Sequence, residues 1–104
     1  MPTLIVEIVR FVDECQPGFV ECALVDALGQ SHLFVEKVPI VSAEGLWSTS
    51  SYPRAGAIGC EIEAEWKDAA GRSVVRVITE RPWSVESTTG ESRFVVLSSQ
   101  VARV

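Results

Sequence analysis

Histidine is the scarcest of the chemically versatile residues here: His32 is the only one in 104 residues. A histidine acting as general base needs an orienting acid and a nearby nucleophile. His32 opens an alternating run just after a tight turn, which predicts a half-exposed edge position without a catalytic role. There are three cysteines, Cys15, Cys22 and Cys60, an odd number with no Cys-x-x-Cys pair. That pattern argues against the even disulfide framework of small secreted domains and against structural zinc with its close ligand pairs. Cys22 and Cys60 fall inside apolar strand patterns, where a thiol behaves as a small hydrophobe. Cys15 is the most exposed of the three and the candidate reactive thiol. The expectation is a cytoplasmic chain with reduced thiols, no metal and no cofactor.

Positive charge is also thin. Nine Lys and Arg face 14 Asp and Glu, for a net charge of -5. Affinity for nucleic acid comes largely from cations that neutralise phosphates, and here the arginines are spread along the chain. Nucleic-acid binding and attachment to an anionic membrane are both disfavoured. No apolar run approaches the roughly 18 residues of a membrane helix. The apolar N-terminus carries Glu7 and Arg10, without the basic region and small-residue cleavage site of a signal peptide. No glycine-rich phosphate loop opens a helix; Arg54-Ala55-Gly56-Ala57-Ile58-Gly59 resembles none of the phosphate-binding patterns.

Helical periodicity is missing too. The best candidate is a single turn near Ser42 to Trp47, with Ser42 as its cap and Gly45 limiting its length. What the chain does have is valine: 16 against six leucines. β-branched side chains lose rotamer freedom in helices and pack well on pleated sheets. Leu4 to Val12 reads as a central strand covered on both faces. Phe19–Val25 with His32–Val38, Ile58–Trp66 with Val74–Thr79, and Trp83–Ser87 with Arg93–Ser99 read as three hairpins. The expected fold is therefore all-β, one domain over residues 1–104, a small antiparallel barrel or sandwich of six to seven strands.

Two of the turns share a pattern, Asp26-Ala27-Leu28-Gly29-Gln30-Ser31 and Asp68-Ala69-Ala70-Gly71-Arg72-Ser73. Asp bonds the backbone ahead of it, and Gly supplies a positive φ that closes a type I turn with a bulge. A four-residue loop in the second hairpin sets Trp66 against Val75, Ala64 against Val77 and Glu65 against Arg76. A three-residue loop sets Ala64 against Arg76 and, on this reading, wastes burial. The core expected from this phase is Val6, Ile8, Cys22, Leu24, Ile62, Ala64, Trp66, Val75, Val77 and Val95.

The longest irregular stretch, Pro39 to Gly56, is unusual for a compact domain unless it works or is mobile. It carries Trp47, Tyr52 and Arg54, and Trp83 is a further aromatic that could join them. Trp, Tyr and Arg are the residue types that anchor interfaces, so these four are the candidate binding residues. The structural alternative is a loop that plugs one end of the barrel with Trp47. Glu61, Glu63 and Glu65 share one face of their strand, as a solvated face or an acidic docking stripe. No catalytic constellation emerges, and the chain leans away from being an enzyme. The favoured reading is a non-catalytic module for a protein partner, for which a small acidic inhibitor of a basic enzyme is one instance. An edge strand would also permit homo-oligomers. The alternative is a small-molecule barrel or modest enzyme using Cys15, His32 or the glutamate row at the barrel mouth.

Overall fold

The computed structural model describes residues 1–103 and contains eight strands, one α-helical turn and one 3-10 turn: β1 (Thr3–Asp13), β2 (Phe19–Val25), β3 (Ser31–Lys37), α1 (Val38–Val41), β4 (Arg54–Gly59), β5 (Glu61–Lys67), β6 (Ser73–Ile78), β7 (Arg93–Leu97), the 3-10 turn Ser98–Gln100 and β8 (Val101–Ala102). Sheet A has the order β3-β2-β1-β4 and sheet B the order β5-β6-β7. All pairings are antiparallel, and β8 extends sheet A by pairing with Thr3 and Leu4 of β1, beyond the stretch that β2 covers. The all-β expectation holds, as a two-sheet sandwich that does not close into a barrel. Among the described residues no helix is long and apolar enough to cross a membrane.

Alternation along the strands builds the core. Leu4, Val6 and Ile8 of β1, Val20, Cys22 and Leu24 of β2, and Phe34 of β3 point inward from sheet A. Val75, Val77, Phe94 and Val96 meet them from sheet B, and the Phe34 and Phe94 rings pack edge to face at 5.5 Å. The outer residues of β1 are bare, contrary to the expectation of cover on both faces: Ile5 is 42% exposed and Glu7 exposed. The apolar run is thus half core and half surface.

The run Ile58–Trp66 is two strands rather than one. The chain leaves sheet A at Gly59, passes the buried Cys60 and enters sheet B at Glu61. Beyond it a bulge resets the phase, because Ile62 pairs with Val77 but Ala64 pairs with Arg76. A bulge inserts one unpaired residue and swaps the faces that follow. Trp66 therefore lies opposite Val74, and Glu65 opposite Val75. The three-residue loop, not the four-residue one, is correct. Trp66 is 42% exposed, and Ala64 is half-buried on the outer face with it.

The expected arm Trp83–Ser87 is not a strand. Ser84 has φ 54°, which breaks the extended chain, and Val85 dips fully into the core. Buried Thr79 holds the loop there: its hydroxyl donates to Val85 O at 2.8 Å and its carbonyl accepts from Val85 N at 3.0 Å. Strand β7 instead pairs with β6, Val77 opposite Phe94 and Val75 opposite Val96. That turns Phe94 and Val96 inward and leaves Val95 half-buried, opposite to the expected phase. Of the remaining expected core, Val6, Ile8, Cys22, Leu24, Val75 and Val77 are buried, and Ile62 packs partly against them.

Candidate functional site

The segment after β3 is ordered by what it buries. Lys37 is extended and Pro39 sits in the first turn of α1, a position where a missing N–H costs nothing. The turn comes just before the Ser42–Trp47 segment expected to hold it. Ser42 instead follows α1, and its hydroxyl accepts the Glu44 N–H at 3.1 Å. Val38, Val41 and Leu46 are buried against the sandwich. The plug at this end is thus these aliphatic side chains, and Trp47 stands outside it at 62% exposure.

Short bonds fasten the backbone around that indole. Trp47 N–H donates to Ser50 Oγ at 3.0 Å, and Ser50 N–H returns to Trp47 O at 3.0 Å. Tyr52 is half-buried against the core, and its hydroxyl donates to the same Trp47 carbonyl at 2.7 Å. Ser48 Oγ donates to Glu14 Oε1 at 2.8 Å, which ties the loop to the β1–β2 turn. Arg54 is half-buried and paired with Glu44 at 3.3 Å. Phe11, Glu14, Gln16, Pro17, Leu46 and Trp47 border a cleft of about 250 Å³ between this loop and that turn.

Trp47, Tyr52 and Arg54 therefore belong to one braced loop. Trp83 does not join them. Its indole is 54% exposed and lies over Gly59, where an added methyl would come 3.0 Å from Trp83 Cδ1 and 3.2 Å from Met1 Sδ. That places it beside the first residues of β1, whereas Trp47 borders Phe11 and Glu14 at the other end of that 11-residue strand. Leu46, missed in the sequence because it stands alone in a polar stretch, is what aims its neighbour outward.

His32, the cysteines and the glutamate row lie outside the residues that border this cleft. His32 is buried, not half-exposed: its Nε2 lies 2.8 Å from Asp26 Oδ2, its Nδ1 3.7 Å from Glu91 Oε1, and its ring meets Phe94 edge-on at 4.9 Å. Burial raises the Asp26 carboxyl, but bonds from His32 and from the Gln30 and Leu28 amides outweigh it and leave the group below its ordinary value. Cys15 is exposed as expected, yet a hydrogen bond with Asp13 and its negative charge push that thiol up, away from reactivity. Burial pushes Cys22 up to about 12 and Cys60 up to about 11. The glutamate row is matched within the chain: Glu61 by Arg81, Glu63 by Arg76 and Arg93, and Glu65 by Arg103. No group of three metal-ligating side chains is gathered among the described residues. The chain matches no protein-family model, no curated protein and no solved structure.

Proposed function

We propose that this chain is a non-catalytic interaction domain that holds a protein partner at the Trp47 loop. The observation that carries this reading is the exposed indole on a loop whose backbone is fastened at both ends. A large rigid aromatic offers contact area at low entropic cost, which is the property of an interface anchor. The adjoining cleft adds Phe11 and Pro17 as apolar walls and Glu14 as a charge. With an overall charge of -5, a basic partner would be steered toward it.

The test is affinity capture on immobilised protein with two variants. Trp47→Ala is expected to lose the captured partner while its circular dichroism and unfolding midpoint stay close to the parent's. Trp83→Ala, at the other end of β1, is expected to retain it. Capture by Trp47→Ala equal to that of the parent would refute the assignment.

A further inference from the structure

The outer face of sheet A is a second surface, distinct from the Trp47 loop. Ile5 and Leu33 are each 42% exposed there, Val35 is 42% exposed and Val25 54%. In the middle row Glu7 pairs with Ala23 on one side and Ala55 on the other, and Ala23 pairs with Leu33. Two small residues beside a longer one leave a trough, and a groove of about 570 Å³ runs there, bordered by Ile5, Glu7, Val25, Ala55 and Gln100, with Arg54 also on its border but its guanidinium paired with Glu44 at 3.3 Å. Gln100 is fixed in place, its amide donating to Val25 O at 2.8 Å.

Glu7 is the one charged side chain in this trough's central row. Among the described residues no cation lies within ion-pair distance of it, whereas Glu61, Glu63 and Glu65 of sheet B and Glu21 of sheet A each have an arginine. Sheet B thus closes the charge pairs of its glutamate row, whereas Glu7 on the outer face of sheet A has no such partner among the described residues. A second copy is a poor occupant, because two chains that each carry -5 repel one another. An arginine or lysine suits the trough better, since its aliphatic stem can lie on Ile5, Ala23 and Val25 while its head meets the carboxylate. We propose that this face docks an apolar segment of a partner protein that carries one arginine or lysine, with the cation seated on Glu7.

The experiment is a titration of the ¹⁵N-labelled full chain with a blocked peptide, acetyl-Val-Leu-Arg-Leu-Val-amide, and with its twin carrying Glu in place of Arg. The arginine peptide is expected to shift the amides of Ile5, Glu7, Ala23 and Ala55 saturably, and the glutamate twin to leave them unmoved. Glu7→Gln should weaken binding by about fivefold, the upper end for an exposed pair, and Val25→Asp should abolish it; both sites are exposed, so both variants should fold. Trp47→Ala should bind the peptide like the parent, which separates this surface from the loop. Equal binding of the two peptides, shifts confined to another face, no shifts at all, or an unaffected Glu7→Gln would each overturn the proposal. So would a concentration-dependent dimer in sedimentation that buries this face, which would assign it to a second copy.

Discussion

Gly56 is a place where one methyl group should be felt through the whole fold. It sits on β4 opposite Val6, beside the fully buried Ile8. A Cβ added there would lie 2.7 Å from Ile8 Cγ1, 2.8 Å from Ile8 Cδ1 and 3.1 Å from the carbonyl of Val41. Ile8 cannot retreat, because it is closed in by the core, and the Val41 carbonyl belongs to α1. Overpacking of this kind costs about 2 kcal/mol. Ile8→Ala removes both offending carbons and, taken alone, costs about 3.5 kcal/mol in transfer and cavity energy.

The two changes should not add. In the double variant the new methyl enters space that Ile8 has vacated, so the loss should stay near about 3.5 kcal/mol instead of the additive value of about 5.5. That leaves a coupling of about 2 kcal/mol. With a urea slope of about 1.5 kcal/mol per M, Gly56→Ala alone should lower the midpoint by about 1.3 M. Circular dichroism is the appropriate probe, since Trp47, Trp66 and Trp83 are all exposed and report weakly on the core. A midpoint for Gly56→Ala within about 0.3 M of the parent, or strictly additive losses, would refute the packing of β4 on β1 described above.

Other consequences follow from burial and charge. Native tryptophan emission should lie close to that of the urea-unfolded chain, and a strongly blue-shifted native spectrum would contradict three exposed indoles. Trp66→Ala should cost only about 1 kcal/mol by urea unfolding, against roughly 3–5 for a buried indole. A thiol reagent at pH 8 should modify Cys15 alone in the folded protein, with Cys22 and Cys60 reacting only as it unfolds; rapid labelling of all three would refute the core positions. Asp26 has a folded value below its unfolded one of about 3.9, so its contribution is complete above that pH and is lost as pH falls through the lower folded value. Asp26→Asn keeps an oxygen for the turn amides, and its stability should fall less steeply than the parent's below about pH 4; an unchanged acid limb would refute the lowered carboxyl.

The parts of the fold that were legible in the sequence are those decided locally. Strand type followed from the abundance of valine and the alternating pattern, and the two Asp-x-x-Gly turns from side chains that bond their own backbone. What escaped was decided by neighbours distant in the chain. The bulge near Glu63 depends on how β5 meets β6, and without it Ala64 and Trp66 fall on the wrong face. Arg93–Leu97 was given the wrong partner because Trp83–Ser87 looks extended in composition, yet Val85 is drawn into the core between Thr79 and the sheets. At the candidate site the length and aromatic content of the loop were visible, but the division of labour between Leu46 inside and Trp47 outside was not. Adjacent residues in irregular backbone carry no period from which to read a face.

A third turn makes the same point from the opposite direction. Asp26 N–H donates to Gln30 O at 2.9 Å and Gly29 N–H to Asp26 O at 3.1 Å; the Asp68 turn repeats both bonds at 3.0 and 2.9 Å. Ser87-Thr88-Thr89-Gly90-Glu91 makes them again, at 2.8 and 2.9 Å, with Gly90 at φ 84° beside 81° and 80° for Gly29 and Gly71. In each, the first side chain accepts the amide four residues on: Asp26 from Gln30, Asp68 from Arg72 and Ser87 from Glu91. The repeat is one of backbone geometry, and a single oxygen at the first position suffices for it. The carboxylates supply a second oxygen, and it is there that the turns diverge. Asp26 reaches His32 and Asp68 reaches Arg72, each at 2.8 Å, whereas the Ser87 hydroxyl finds Thr89 at 3.1 Å. Glu91, closing the third turn, then faces the other nitrogen of His32. The lone histidine is therefore a tie between the first turn and the third, and its burial follows from the turns that flank it.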